Sequence, residues 1–164
     1  MDYLSGIMIR TATDRDGDAL LAMVSQVYLE YPGCRVDEET EVPELKAPAT
    51  VARQTSGRWW VAERDGDVIG SVAVKPVDRK TVELKKLYVA RHARRSGLGA
   101  QLVKLAESEA LARNAPSMFL WTDIRFQDAH RLYERLGYVR APGTRSIPDA
   151  SNTVEYRYSK DLTP

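Results

Sequence analysis

The chain has 164 residues, a length that suits one domain, and 43% of them are hydrophobic, which is enough for a buried core. Its 24 basic and 23 acidic side chains leave a net charge of +1, and this balance argues against a dedicated nucleic-acid-binding protein, because such proteins carry a basic excess. The single cysteine excludes an internal disulfide, and one cysteine with two histidines is too little for a convincing zinc site.

The N-terminal residues do not predict a signal peptide. Residues 1–7 lack the basic start and the long apolar run of a signal peptide. No segment of the sequence is long and apolar enough to span a membrane. We therefore expect a cytoplasmic protein that binds neither membranes nor nucleic acid.

The first 33 residues predict a strand followed by a helix. Residues 7–12 are typical of a short strand. Asp14 is the predicted N-cap of the helix, because aspartate side chains satisfy free amides at helix starts. The apolar residues of this helix recur at helical spacing, namely Ala19, Leu20, Met23, Val24 and Val27. Pro32-Gly33 ends the helix.

The next part of the chain predicts a hairpin after an ambiguous segment. Residues 34–56 are polar and contain two prolines, and they fit either a short helix or a mobile loop. Residues 59–63 and 68–74 predict paired strands, because Asp65-Gly66 between them is a favoured hairpin turn. Another strand is predicted over residues 81–89.

A basic loop with two glycines follows that strand and precedes a helix that extends to about Asn114. The loop reads Arg94-Arg95-Ser96-Gly97-Leu98-Gly99. Backbone N–H groups at a helix start lack internal partners and favour an anion, commonly a phosphate. The two glycines leave the backbone open to a ligand, and the two arginines can add charge-assisted hydrogen bonds. The loop therefore predicts a site for a phosphate-bearing ligand.

The same loop also fits a simpler interpretation, a tight turn with solvated arginines. Two familiar phosphate-binding loops are excluded. No lysine followed by serine or threonine comes after the second glycine, as a Walker loop requires. No third glycine follows at the spacing of the dinucleotide-binding fingerprint.

The C-terminal part predicts further strands around one helix. Residues 118–121 are a continuous apolar run, typical of a strand buried on both faces. Residues 125–136 predict a helix, which Gly137 ends. The last strands are predicted at 138–139 and 154–158. Because strands and helices mix along one chain, we expect an α/β layer fold.

Two blocks of this sequence resemble the GNAT superfamily of N-acetyltransferases. Arg94-x-x-Gly97-x-Gly99, after Leu87-Tyr88-Val89, is similar to the family's acyl-CoA pyrophosphate loop. Residues 129–138, AHRLYERLGY, are similar to its later A-x-x-L-Y-x-x-x-G-F/Y segment. The blocks occur in the family's order, and the resemblance extends from about residue 7 to about residue 162. It implies a single acetyltransferase domain over residues 1–164 with a GNAT-like α/β fold, in which about four helices flank a mixed, strongly twisted sheet of about six or seven strands.

The resemblance implies how acetyl-CoA is bound. The fourth and fifth strands would part to hold the pantetheine arm, whose amides would pair with the backbone around Leu87 and Val89 as an added strand does. The three successive apolar residues at 87–89 fit a bulge or a strand buried on both sides. The pyrophosphate would lie on the loop. The implied cofactor-binding residues are Leu87, Val89, Arg94, Arg95, Ser96, Gly97, Leu98 and Gly99, and no metal is implied.

The resemblance also implies direct transfer without an acyl-enzyme. Tyr133 matches the tyrosine that in many members protonates the leaving thiolate, although it also fits a core tyrosine. Glu83 lies on the strand where several members carry a base that acts through a water molecule, and it fits a surface partner of Lys85 or Arg79 as well. Phe126 departs from the pattern, because relatives often have asparagine there.

The sequence does not identify the amine that accepts the acetyl group. An acidic run at residues 37–44 would attract a cationic amine, but such a run is more commonly a solvated face. Trp59, Trp60 and Trp121 are predicted core residues, one of which could line the acceptor pocket. Cys34 has no histidine nearby in the sequence to activate it, so we do not expect a catalytic cysteine.

The function that these patterns favour is transfer of an acetyl group from acetyl-CoA to a primary amine of a small molecule or a peptide. The alternative is a non-catalytic acyl-CoA-binding or sensing module of the same fold. A nucleic-acid binder that uses the basic stretch 79–95 is disfavoured by the balanced charge. A homodimer is a further expectation, because dimers are frequent in the family.

Overall fold

The structure, a computed structural model, describes residues 6–163. Its strands are β1 Met8–Thr11, β2 Arg58–Arg64, β3 Asp67–Pro76, β4 Thr81–Val89, β5 Ser117–Asp123, β6 Val139–Arg140, β7 Arg145–Ser146 and β8 Val154–Asp161. Its helices are α1 Gly17–Tyr28, α2 Glu41–Lys46, α3 Pro48–Gln54, α4 Leu98–Ala112 and α5 Gln127–Arg135.

All the strands of the described region belong to one mixed sheet. Their order is β1-β2-β3-β4-β5-β8-β6, and β7 also pairs with β8. Neighbouring strands are antiparallel except β4 and β5, which run parallel. The predicted mixed sheet is confirmed. It has eight strands rather than six or seven, and β6 and β7 are only two residues long, too short for a hydrophobic pattern to reveal both.

The parallel strands β4 and β5 pair only at one end. Thr81–Glu83 lies opposite Ser117–Phe119, and the remaining residues of both strands do not pair with each other. Two neighbouring strands that part in this way leave a gap in the sheet that the backbone of neither strand fills. The fourth and fifth strands therefore separate, as the resemblance implied.

A β-bulge distorts β4 beside this gap. Its register against β3 shifts between the pairs Ser71–Tyr88 and Ala73–Lys85, so that an extra residue of β4 is accommodated. Lys86 has a φ of +56°, which is uncommon outside glycine. The irregularity that the apolar run 87–89 predicted is thus a bulge.

Helices α1 and α4 pack on opposite faces of the β3–β4 pair. A Cβ atom on Gly70 of β3 would lie 3.1 Å from a methyl group of Leu98 in α4, so this glycine allows α4 to approach the sheet closely. Successive residues of a strand face opposite sides, and on the other side the Tyr88 hydroxyl lies 2.8 Å from that of Tyr28 in α1. The buried core therefore lies on both sides of the central strands.

Asp14 does not cap α1 as predicted. It begins a short 3-10 turn, Asp14–Asp16, and its carboxylate accepts hydrogen bonds from the backbone and hydroxyl of Thr50, in the first turn of α3. The prediction was wrong because the carboxylate serves a helix start that is distant in sequence. The ambiguous segment 34–56 contains α2 and α3 and is therefore largely helical.

No helix within residues 6–163 has the length and hydrophobicity to cross a membrane.

Candidate active site

The glycine loop, which we define as residues 94–100, presents a row of free backbone amides. Within the described part of the chain, the N–H groups of residues 95–100 donate to no other group. The last three of them are free because α4 begins at Leu98, and first-turn amides have no helix carbonyl to reach. Arg95 and Gly97 have left-handed φ angles of +62° and +84°, and backbone of this kind forms concave anion sites.

The two glycines of the loop have different surroundings. A Cβ atom on Gly97 would point into open space, so its absence leaves room for a ligand above the amides. A Cβ atom on Gly99 would lie 3.1 Å from a methyl group of Leu132 in α5. The expectation that both glycines expose the backbone to a ligand therefore applies to Gly97 alone, because Gly99 allows α4 and α5 to pack closely.

Arg94 joins the loop to neighbouring elements. Its guanidinium binds both carboxylate oxygens of Glu30, just beyond α1, at 2.6 and 2.8 Å, and donates to the carbonyl oxygen of Val89 at 3.1 Å. These contacts tie the loop to α1 and β4. They leave one N–H on each of Nη1 and Nη2 free, so the expected contact of Arg94 with a phosphate stays a prediction. Arg95 is exposed, and Ser96 donates its hydroxyl to the carbonyl oxygen of Ala93 at 2.7 Å.

A cleft of about 290 Å³ occupies the gap between β4 and β5. It brings together three of the residues singled out from the sequence, Glu83, Leu87 and Tyr133, although these come from β4 and α5. Residues of α1 and β5 and the segments 34–44 and 145–155 form its other walls. The glycine loop is not part of this lining, so the structure separates an amide-lined site at the start of α4 from a side-chain-lined site in the sheet.

Tyr133 turns a free hydroxyl toward the cleft. The residue is only 4% exposed, and its ring packs against Tyr138 and Tyr158 at 5.9 and 5.7 Å. No hydrogen bond joins its hydroxyl to any of residues 6–163, and because no fully buried side-chain oxygen in this range lacks a partner, the hydroxyl is accessible from the cleft. Burial raises the pKa of Tyr133, so the phenol keeps its proton at neutral pH. A protonated hydroxyl with no partner at the wall of a cleft can donate a proton to a bound ligand.

The cleft carries an excess of negative charge. Six carboxylates and three cationic side chains line it: Glu41, Glu44, Glu83, Asp123, Asp149 and Glu155 against Lys85, Lys86 and Arg145. Three of the acids have cation partners, since Glu44 pairs with Lys86 at 2.8 Å, Asp123 with Arg125 at 2.7 Å and Glu155 with Arg145 at 2.8 Å.

Asp149 is held by hydrogen bonds from the 151–153 turn. Glu41, Glu83 and Asp149 are the three cleft carboxylates that have no ion pair with a described residue.

Glu41 belongs to a hydrogen-bonded cluster that the sequence did not reveal. Its Oε2 accepts from the Tyr28 hydroxyl at 2.6 Å, and that hydroxyl lies 2.8 Å from the hydroxyl of Tyr88. Its Oε1 accepts from the backbone N–H of Asp37 at 3.2 Å. Burial raises the pKa of Glu41.

The acidic run 37–44 is therefore only partly the solvated face that was favoured. Glu38 and Glu39 are exposed, but Glu41 and Glu44 face the cleft. A signal for this existed in the sequence, because Glu41 lies four residues before Leu45, which is 1% exposed, and residues four apart share a helix face.

The remaining candidates have mostly structural surroundings. Burial raises the pKa of the Cys34 thiol to about 11, which keeps it protonated and a poor nucleophile. Trp59 and Trp60 are core residues, whereas Trp121 lines the cleft beneath the Arg145 guanidinium, 3.9 Å from the centre of its ring. Phe126 packs against Tyr28 and Tyr31, so the position where relatives often have asparagine is an apolar wall.

The comparisons with known proteins agree on one family. The model of the acetyltransferase (GNAT) family matches residues 21–138. The chain is 36% identical over 122 residues to the "Probable N-acetyltransferase 14" of Xenopus tropicalis, a match that covers 73% of this chain and 58% of that protein. It is 29% identical over 136 residues to the N-acetyltransferase YjgM of Escherichia coli K12, covering 80% of this chain and 81% of the relative.

A solved structure has the same fold. The putative acetyltransferase of Salmonella typhimurium, solved with its cofactor acetyl-CoA, superimposes with a TM-score of 0.75 and 18% identity, covering 97% of this chain and 95% of that one.

Proposed function

The chain belongs to the acetyltransferase (GNAT) family, and from this premise we propose that it transfers an acetyl group from acetyl-CoA to a primary amine of a small molecule or a peptide. The observation that carries this proposal is the row of free amides at residues 95–100, which opens onto space above Gly97. Free amides at a helix start, with no side chain above them, suit a diphosphate.

When bound, acetyl-CoA supplies the acetyl group as a thioester. In this proposal the amides of residues 95–100 hold its diphosphate, and the exposed Arg95 adds positive charge. The backbone of β4 around Leu87 and Val89 pairs with the pantetheine arm where β5 has parted from it. The ion pair between Arg94 and Glu30 holds the loop in position.

Tyr133 is the proposed acid. Its hydroxyl is protonated, faces the cleft and has no competing partner among the described residues, so it is available to the sulfur that leaves as a thiolate. A correctly positioned acid of this kind typically contributes about 10²- to 10⁴-fold in rate.

The proposed reaction also needs a group that removes a proton from the acceptor's ammonium form, because only the neutral amine is nucleophilic. Glu83 and Glu41 are the two candidates, because three of the other cleft acids are in ion pairs and Asp149 accepts three hydrogen bonds from residues 151–153. Glu83 is the base that the resemblance implies, and it would act through a water molecule.

The negative charge of the cleft indicates which acceptors should react best. Because carboxylates outnumber cationic side chains by three in the lining, an acceptor with more than one positive charge is attracted more strongly than an amino acid with a free carboxylate. We therefore propose that polyamines, aminoglycosides and lysine-containing peptides are better acceptors than acidic amino acids.

The experiment is a screen of thiol release from acetyl-CoA with the full chain. Each amine of a panel of polyamines, aminoglycosides, amino acids and peptides is added in turn, and mass spectrometry identifies the acetylated product. We expect amine-dependent thiol release with at least one cationic acceptor. Binding of acetyl-CoA with no amine-dependent release from any member of the panel would contradict the proposed activity and favour a non-catalytic binding module.

A further inference from the structure

We propose that Glu41 is the final acceptor of the proton that the amine loses, and that the proton reaches it through the hydroxyls of Tyr88 and Tyr28. This inference rests on the proposed function, because it names the proton acceptor of that same reaction. It assigns the role to a residue of α2 and moves it away from Glu83.

The direction of the hydrogen bonds supports a relay from the cleft to Glu41. An ionised carboxylate can only accept, so Tyr28 donates its single proton to Glu41 Oε2 across 2.6 Å. Tyr28 can then only accept from Tyr88 across 2.8 Å, and Tyr88 must be the donor. The oxygen of Tyr88 keeps free lone pairs. All three side chains line the cleft, so an ammonium group there can donate to Tyr88.

The proton transfer balances without any further reactant. One N–H bond of the ammonium breaks, and its electron pair stays on nitrogen as the lone pair that attacks the acetyl group. The proton joins the Tyr88 oxygen, the original Tyr88 proton moves to the Tyr28 oxygen, and the original Tyr28 proton moves to Glu41 Oε2. The products are a neutral amine, two unchanged tyrosines and a protonated Glu41.

The two tyrosines are suited to relay a proton without becoming charged. Burial raises the pKa of both Tyr28 and Tyr88, and the nearby Glu41 carboxylate raises them further. Both phenols therefore stay neutral before and after the transfer. Their rings pack edge to face with centroids 5.9 Å apart, which fixes the relative position of the two hydroxyls.

The surroundings of Glu41 suit a proton acceptor. Burial is the largest effect on its pKa, and Asp149, across the cleft, raises the pKa as well. The hydrogen bonds from Tyr28 and from the Asp37 N–H, and the charge of Lys86 of β4, lower the pKa. The ammonium group of Lys86 is 2.8 Å from Glu44 and is paired there. The neutral thiol of Cys34 also lies against the cleft. A half-buried carboxylate without an ion pair holds a proton more readily than an exposed one.

Glu83 lacks these features. Its side chain makes no hydrogen bond or ion pair with residues 6–163, and Glu83 itself forms, with Phe119, the last pair between β4 and β5. Its negative charge can attract an ammonium ion into the cleft, but no hydrogen-bonded chain of described side chains leads to its carboxylate.

The test measures kcat/KM against pH, with the best amine from the screen, for the wild type, Glu41→Gln, Tyr88→Phe and the matched control Glu38→Gln. The control removes the same charge from the same acidic run at an exposed position, so we expect it to behave as the wild type. Glu41→Gln should be about 10²-fold or more slower at pH 7. Its deficit should shrink as the pH approaches the pKa of the amine, because the neutral amine then no longer needs a base.

Tyr88→Phe breaks the relay while leaving Glu41 and Tyr28 in place, and we expect the same loss at pH 7 and the same recovery at high pH. Tyr88→Phe alone also tests the inference if Glu41→Gln does not fold. Acetyl-CoA affinity and melting temperature should stay close to the wild-type values in both variants.

Three results would overturn the inference. One is a pH profile of Glu41→Gln that matches the wild type, another is a loss that is equal at every pH, which would mean a structural role, and the third is Glu83→Gln reproducing the pattern expected of Glu41→Gln. A wild-type protein that binds acetyl-CoA but acetylates no amine would instead overturn the proposed function, and this inference with it.

Discussion

The glycine loop and the cleft are built in opposite ways. The loop uses the backbone of a few consecutive residues, and its free amides follow from where α4 begins. The cleft uses side chains from α1, α2, β4, β5 and α5 and from the segment 145–155. A site made of local backbone is set by a short motif, whereas a site made of distant side chains exists only after the chain has folded.

Because of this difference, the loop and the cleft have different roles in the proposed reaction. The loop recognises a feature that every acyl-CoA shares, the diphosphate, and needs little more than amides and space. The cleft must recognise one particular amine, hold its charge and manage protons on both reactants. Substitutions in the loop should therefore affect acetyl-CoA binding, and substitutions in the cleft should affect turnover or acceptor binding.

The largest expected effect comes from Gly97→Glu. The new carboxylate would lie over the free amides and repel the diphosphate, and we expect acetyl-CoA affinity to fall about 100-fold or more. Calorimetry with acetyl-CoA measures this loss.

Gly66→Glu is the matched control for Gly97→Glu. Gly66 also has a left-handed φ, +85°, and open space around its Cβ position, so it adds the same strain and charge in the β2–β3 turn. It should bind acetyl-CoA as the wild type does. Wild-type affinity in a folded Gly97→Glu variant would mean that the diphosphate binds elsewhere.

The next effect is on turnover and comes from Tyr133→Phe. Removing the hydroxyl leaves the buried ring in place but removes the proposed acid, so kcat should fall about 10- to 10³-fold with little change in acetyl-CoA affinity. Steady-state kinetics together with calorimetry separates the two quantities. A fully active Phe variant would leave Tyr133 with a packing role only.

A smaller effect is expected from Glu83→Gln. Because this carboxylate attracts the ammonium ion without taking its proton, KM for a cationic acceptor should rise about threefold to tenfold while the pH profile of kcat keeps its shape. Kinetics from pH 6 to pH 10 provides the measurement. If the decrease of kcat at low pH disappeared in Glu83→Gln, Glu83 would be the base.

The smallest effect concerns the support of the loop by Arg94. If Arg94 acts by holding the loop against α1, then Arg94→Ala and Glu30→Ala should weaken acetyl-CoA binding to a similar extent, about threefold to tenfold. A direct contact between Arg94 and the diphosphate gives a different result, because Glu30→Ala would then free the guanidinium and leave binding unchanged or stronger.

The same contrast explains which features could be predicted from the sequence. The hairpin at Asp65-Gly66, the strand 81–89 and the helix after the glycine loop follow from local turn chemistry and hydrophobic periodicity, and the structure has all three. The loop's amides were predictable for the same reason, since a helix start always leaves them free.

The errors and omissions all involve contacts between distant segments. The ion pair of Arg94 was not predicted because its partner Glu30 follows another helix, and Asp14 was assigned to α1 because Thr50 lies far away in the chain. Glu41 was not distinguished from its acidic neighbours because its burial depends on Tyr28 and Tyr88, which lie on α1 and β4. Periodicity indicates which face of a helix is buried but not which side chain from another element meets it.

The most direct test of the account is a crystal structure of the chain with acetyl-CoA. We expect the diphosphate within hydrogen-bonding distance of the backbone amides of residues 95–100, and the pantetheine arm in the gap between β4 and β5 with its thioester near the hydroxyl of Tyr133. Nucleotide density at any other surface, with these amides left free, would contradict it.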